Sequence, residues 1–310
     1  MPTAPFDPDT LTPGLVRQLI TTQFPHWAHL PIEPASPQGW DNRTFRLGND
    51  LCARLPSARG YVPQVAKEHR WLPVLAASLP WNVPVPVALG QPSERYPYPW
   101  SVYGWLEGQP ASPTNLPNLS VFASDVARFL RDLRSVPPGD GPRPGLHSAF
   151  RGGPLATYDE ETTTCLNDLE GEVDTHALHA VWTAALDAPW DGHDVWFHGD
   201  VAVNNLLVHE GRLRGVIDFG CCGVGDPACD LVLAWTLFEG ESRAVFKAEL
   251  GNDERTWSRA RGWAVWKALL QVRDARRAND EVSGEVSRAA RRVLREVLLD
   301  HAATRRGGRP

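Results

Sequence analysis

The chain has 310 residues, 42% of them hydrophobic and 22% charged, with 26 Gly and 28 Pro. That balance leaves room for one large domain or two medium ones with real cores and excludes a disordered or fibrous protein. Net charge is −6, and residues 273–310 carry ten Arg against six acidic residues, so the rest of the chain is more acidic still and argues against a nucleic-acid partner.

The N-terminal stretch MPTAPFDPDTLTPG lacks a basic patch followed by an apolar core, so no secretory signal is expected. No apolar run approaches the roughly 20 residues of a membrane helix, and a cytoplasmic protein without a membrane partner is expected. Residues 31–38 read as a strand, Gly39-Trp40-Asp41-Asn42 as a turn and 43–47 as a second strand. Gly48-Asn49-Asp50 then turns into a third strand at 51–55, which makes an antiparallel meander. Residues 61–78 set Val62, Val65, Ala66, His69, Leu72 and Leu75 at helical spacing, with Pro63 in the first turn and Pro73 expected to kink or split the element. Glu68 falls on the same inward stripe. It either meets a cation, for which the third strand offers Arg54, or runs to solvent along the edge of the stripe.

A further strand leads to Gly90, and 100–108 is an apolar segment that ends in a Gly turn. A Pro- and Asn-rich loop follows at 109–118, so the domain boundary is expected near 103–107: a first lobe over 1–104 and a second over 105–304, with 305–310 as a disordered tail. The second part reads as helices at 119–134, 158–169, 174–186, 226–238, 243–250, 255–277 and 283–302. Short β-like stretches at 195–197, 206–209 and 213–219 interrupt it, and polar turns on such ribbons are where a site is expected. The five Cys, at 52, 165, 221, 222 and 229, form no Cys-x-x-Cys pair and read as free thiols, not zinc ligands.

The chemistry concentrates in residues 195–231. His198-Gly199-Asp200 is followed five residues later by Asn205, then by Ile217-Asp218-Phe219-Gly220 and by Gly225-Asp226-Pro227-Ala228 with Asp230. Each Asp alone is ordinary turn chemistry. Together they match the spacing of kinase catalytic and metal loops, in which one carboxylate meets an acceptor hydroxyl and oxygen ligands hold a metal ion on nucleotide phosphates. On these motifs the chain resembles the aminoglycoside phosphotransferase family, small-molecule kinases with a protein-kinase-like fold.

The resemblance implies an α+β, two-lobed fold: an N-terminal antiparallel sheet with one helix, and a larger, mainly helical C-terminal lobe. It implies a phosphotransferase using Mg²⁺ and ATP or GTP, with Asp200 catalytic, Asn205 and Asp218 as metal ligands, and His198 and Asp230 as structural supports. Asn204 competes for the ligand role, but the spacing favours Asn205. Asp226 is expected to cap the helix that starts near Pro227. On the nucleotide side the resemblance gives Arg54 the α- and β-phosphates, steadied by Glu68. Protein kinases have Lys there, but only three of the 31 basic residues here are Lys, at 67, 247 and 267, and none falls on the third strand. Trp40 and Asn42 would lie in the loop over the phosphates, and Val102, Tyr103 and Trp105 in the hinge that meets the purine.

The acceptor is less legible. An acidic body suits a cationic acceptor, with Glu239, Glu241, Asp253 and Glu254 as candidates or as solvated helix ends. Trp235, Trp257, Trp263 and Trp266 either line a sugar or macrolide site or belong to the core. The expected function is γ-phosphate transfer to a hydroxyl of an aminoglycoside-like or other antibiotic. The alternatives are a metabolic kinase for an amino sugar, amino alcohol or hydroxy amino acid, and a weakly active nucleotide-binding module.

Overall fold

Period-two patterning and one turn glycine build the N-terminal lobe. The structure, a computed structural model, describes residues 7–36, 38–278 and 281–307. Helix α1 (Pro13–Gln23) starts at a Thr12 hydroxyl that accepts the Leu15 N–H at 3.3 Å, and it buries Val16, Leu19 and Ile20. Thr-Pro before that spacing is a helix start, and this helix is additional to the elements expected from the sequence. Strands β1 (Ile32–Pro34), β2 (Asn42–Leu47) and β3 (Leu51–Pro56) form the meander, with Gly48 at a φ of 60° in the β2–β3 turn. After helix α2 (Val62–Ser78), strands β4 (Pro86–Gly90) and β5 (Trp100–Gly104) complete an antiparallel sheet in the order β1-β2-β3-β5-β4.

Alternation sorts the two faces of this sheet. Phe45, Leu47, Ala53, Leu55, Trp100 and Val102 pack with α1 in a small core. Cys52 and Tyr103 face the other way and join Trp71, Leu72 and Leu75 of α2 in the main core. Arg54, two residues after Cys52, is therefore turned toward α2. The helix runs unbroken through Pro73, contrary to expectation, because Pro73 lies on its exposed face, where water can meet the carbonyl it leaves unpaired.

The second lobe carries β6 (Gln109–Pro110), α3 (Leu119–Ser135), α4 (Asp159–Asp168) and α5 (Thr175–Leu186), then β7 (Val195–Phe197), β8 (Leu206–His209), β9 (Arg212–Val216) and β10 (Gly223–Gly225). It closes with α6 (Leu233–Thr236), α7 (Gly240–Leu250), α8 (Glu254–Ala278) and α9 (Glu281–Gly307). Strand β8 pairs with β6 and β9, and β7 pairs with β10, so two small ribbons sit on the helical body. Trp182, Trp196, Trp235 and Trp263 are fully buried among these elements. The helix expected over 226–238 is instead a tight 3-10 turn at Pro227–Leu231 followed by the short α6. The disordered tail expected at 305–310 overlaps the end of α9 at 305–307, and 308–310 lie outside the described residues. Among the described residues no helix is long and apolar enough to cross a membrane, and all five Cys are free.

Candidate active site

Strand alternation aims Arg54 across the cleft between the lobes. One guanidinium nitrogen reaches Glu68 of α2 at 3.3 Å and another reaches Asp218 of the second lobe at 2.7 Å. Glu68 does not run to solvent: its side chain is 5% exposed, and the Tyr103 hydroxyl donates to its other oxygen. Burial, then the Glu68 charge, pushes the Tyr103 phenol well above its usual range, so it stays a donor. Burial disfavours the charge on Arg54, but Glu68 and Asp218 outweigh it and raise its pKa. The neighbouring Lys67, also buried, donates to the backbone oxygens of Gly220 at 2.6 Å and Cys222 at 3.0 Å and contacts His147. It ties α2 to the backbone just beyond Asp218.

The loop that carries Asp200 hangs from a buried carboxylate. Asp230 accepts the N–H groups of His198 at 2.8 Å and Gly199 at 2.7 Å, which explains why the chain abandons a regular helix at 227–231. Gly199 has a φ of 86°, and a Cβ there would stand 2.6 Å from the Cys221 carbonyl oxygen. The His198 ring contacts the Ile217 carbonyl oxygen at 3.0 Å and packs edge-on against Phe219, so it lies in the packing of the loop. Asn205 donates its side-chain N–H to the Asp200 carbonyl at 2.9 Å and its backbone oxygen accepts from Ile217 N–H at 2.9 Å, which links the two loops. Asn204 is exposed. Asp218 sits in the left-handed region, at a φ of 66°, a strained conformation of the kind that collects at functional sites.

Three site residues were missed in the sequence. Lys267 of α8 donates to Asp200 Oδ1 at 2.9 Å. Burial pushes the Asp200 carboxyl up, but Lys267, His198 and Arg151 together outweigh it and leave the carboxyl below its ordinary value. Arg151 lies over the rings of Trp266 and Trp263, 4.6 and 5.6 Å from their centroids. These two tryptophans, Arg151, Lys267, Val232 and Asp200 line one cavity. The third missed residue, Asp41, accepts from Gln64 at 3.3 Å. Its carboxyl is pushed up by burial and, against the Gln64 bond, by the charges of Asp218 and Asp200, so it faces the same cleft.

Other expected residues are placed differently. Trp40 is 85% exposed, while Asn42 is buried in β2, opposite Pro56 of β3. Val102 and Tyr103 are paired on both sides within the sheet, and the Gly104 N–H bonds the Val85 carbonyl at 3.2 Å. The Trp105 N–H bonds the Asp50 carbonyl at 2.8 Å, and its ring carries Arg46. Glu239 and Glu241 stand at the start of α7 and are not in the cavity wall. Trp235 and Trp257 pack around Lys247 in the main core. Asp226 caps the 3-10 turn through the Ala228 N–H at 3.1 Å and pairs with buried Arg259 at 2.7 Å.

The oxygen donors fit a hard divalent cation. Asn205 uses its amide nitrogen on Asp200, which leaves its amide oxygen as the available ligand, and Asp218 supplies a carboxylate. Among the described residues no cluster of three or more His, Cys, Asp or Glu forms a metal cage. A Mg²⁺ ion that shares its coordination with nucleotide phosphates does not require one.

A small sheet lobe over a helical lobe, with a carboxylate loop and an Asp-Phe-Gly turn at their junction, defines a kinase-like fold. The model of the phosphotransferase enzyme family matches residues 32–268, and the chain belongs to that family, in which the aminoglycoside phosphotransferases fall. An aminoglycoside 3'-phosphotransferase of Escherichia coli is 29% identical over 131 residues, covering 42% of this chain and 46% of the relative. One from Salmonella typhimurium matches equally, at 29% over 131 residues. The matched stretch thus spans about half the length of these relatives. Among solved structures, the GDP complex of aminoglycoside 2'-phosphotransferase-IIIa superposes with a TM-score of 0.68 at 19% identity, over 94% of this chain and 99% of the other. A macrolide 2'-phosphotransferase from Brachybacterium faecium gives 0.57 at 20% identity, over 91% and 97%. At these identities the likeness establishes the shared fold.

Proposed function

We propose that the protein is a small-molecule kinase that transfers the γ-phosphate of ATP or GTP to a hydroxyl of an aminoglycoside-like or other antibiotic. The observation that carries the reading is the meeting of Arg54, Asp200, Asn205 and Asp218 at the junction of the lobes. Asp200 orients the acceptor hydroxyl and takes its proton as the new O–P bond forms and the bond from the γ-phosphorus to the bridging oxygen breaks. The electron pair of that bond leaves with the nucleoside diphosphate. A carboxyl held below its ordinary value is a weak base, which suits late proton transfer in a loose transition state.

Arg54 exchanges its Asp218 contact for the α- and β-phosphates, while Glu68 and Tyr103 keep its stem in place. Asn205 and Asp218 would hold Mg²⁺, which when bound neutralises phosphate charge. The relatives named for aminoglycoside and macrolide transfer support an antibiotic acceptor. The test is a mass-spectrometric screen of aminoglycosides, macrolides, amino sugars, amino alcohols and hydroxy amino acids with ATP, GTP and Mg²⁺. An antibiotic that gains one phosphate is the expected result. Exclusive turnover of a metabolite removes the antibiotic reading, and no product from any acceptor removes the kinase.

A further inference from the structure

The turn before β2 is tied down on every side. The Gln38 side chain exchanges two hydrogen bonds with the Thr44 backbone, both at 2.9 Å, and Arg43 donates to the Gly39 carbonyl at 2.6 Å. Buried Ser57, just past β3, donates its N–H to the Asp41 carbonyl and its hydroxyl to the Trp40 carbonyl, each at 2.8 Å. This fixed frame presents two side chains, the Trp40 ring, which is 85% exposed, and the Asp41 carboxylate, with the Tyr61 phenol beside both.

Asp41 faces the cleft and has no counter-ion. The Gln64 amide, which donates to Asp41 Oδ2 at 3.3 Å, lies over Gly220 of the Asp-Phe-Gly turn, where a Cβ would stand 2.8 Å from Gln64 Oε1. Burial, and then the charges of Asp218 and Asp200 against the Gln64 bond, pushes the Asp41 carboxyl up. Among the described residues no cation pairs with it, and its donors are the neutral Gln64 amide and Tyr61 phenol. Gln64 is itself 6% exposed, and its Oε1 has no partner. Both side chains lack a donor, and a half-buried carboxylate beside two others calls for a positive one. The N–H and O–H groups already on Asp41 suit an ion-pairing carboxylate, whereas a hard metal ion would have to displace them.

We infer that Asp41 is a specificity-determining residue of the acceptor site, pairing with an ammonium group that flanks the reacting hydroxyl, while the Trp40 ring packs against the sugar that carries it. The inference rests on the kinase reading above and deepens it: Asp200 takes the hydroxyl and its proton, and Asp41 the neighbouring charge.

The test compares kanamycin and gentamicin with derivatives in which single amino groups are N-acetylated, using ATP, GTP and Mg²⁺. Wild type is expected to favour a free amine over its acetamide at one position by about tenfold or more in kcat/KM, the scale of one charge-assisted hydrogen bond. Asp41→Asn raises KM for the free amine and closes that gap, Asp41→Glu restores part of it, and nucleotide affinity stays within a few-fold of wild type. Trp40→Ala raises KM for amine and acetamide alike. Thermal melts confirm that each variant is folded. Equal effects of Asp41→Asn on amine and acetamide, or nucleotide affinity lost with acceptor KM unchanged, overturn the inference and leave the kinase intact, as does phosphorylation confined to acceptors without an amine. Unchanged KM in Trp40→Ala removes the ring from the site. No product from any acceptor, here or in the wider screen, overturns the kinase reading and the role of Asp41 with it.

Discussion

Single residues set the chemistry of this cleft, and Lys267 shows how. Wild-type Asp200 keeps its proton affinity low because Lys267, His198 and Arg151 outweigh the burial that raises it. Removing Lys267 leaves burial less opposed, so the Asp200 pKa rises. In the proposed mechanism the active form is the ionised carboxylate, and activity is lost as pH falls through that pKa. Lys267→Met is therefore expected to move the acid limb of kcat/KM to higher pH, with Lys267→Arg moving it back. An acid limb that stays in place in folded Lys267→Met would assign Lys267 a packing role only. Residues of this kind were hidden from the sequence for a physical reason. Asp200, Asn205 and Asp218 lie within one short stretch whose spacing carries meaning, whereas Lys267 meets Asp200 across 67 residues of chain. Arg54 and Glu68 were legible because a carboxylate on an apolar stripe needs a partner. Asp41 looked like turn chemistry because nothing in its neighbours reveals which way the turn faces.

At the scale of elements, α2 both steadies Arg54 and holds the turn after Asp218. Lys67 donates to the carbonyls of Gly220, Cys222 and His147, all within 3.3 Å. Lys67→Met deprives these carbonyls of a charged donor and is expected to cost about 2–3 kcal/mol in denaturant unfolding, with faster hydrogen exchange at 219–222. Unchanged stability and exchange would contradict the tie. The buried Asp226–Arg259 pair, whose side chains are 4% and 5% exposed, anchors the 3-10 turn to α8. Arg259→Met leaves a buried carboxylate unpaired, and a loss of about 3–5 kcal/mol is expected. Helix and strand positions were largely readable from periodicity. The differences have two causes: a tertiary contact turns Asp230 toward the loop that carries Asp200 in place of a regular helix at 227–231, and Pro73 is tolerated because its face is solvated.

At the scale of the molecule, the cleft joins two separate cores, one beneath the sheet with α1 and one spanning α2 and the helical lobe. The net charge of −6 says little about the site, since the cleft mixes Asp41, Asp200 and Asp218 with Arg54, Arg151 and Lys267. The basic C-terminal stretch is used in packing: Arg276 of α8 and Arg291 of α9 both bind Glu172, at 3.0 and 2.6 Å. A nucleotide that bridges both lobes binds only the folded chain. Mg²⁺ with ATP or GTP at 100 times its Kd is therefore expected to add about 2.7 kcal/mol of stability, read as a rise in Tm. No shift with either nucleotide would remove the nucleotide site.

In the proposed mechanism Asp200 serves transfer and not nucleotide binding. Phosphate transfer and nucleotide affinity measured side by side in wild type and Asp200→Ala test it most directly. The expected result is transfer abolished with ATP or GTP affinity within a few-fold of wild type; equal transfer in the two proteins, or affinity lost together with transfer, would contradict it.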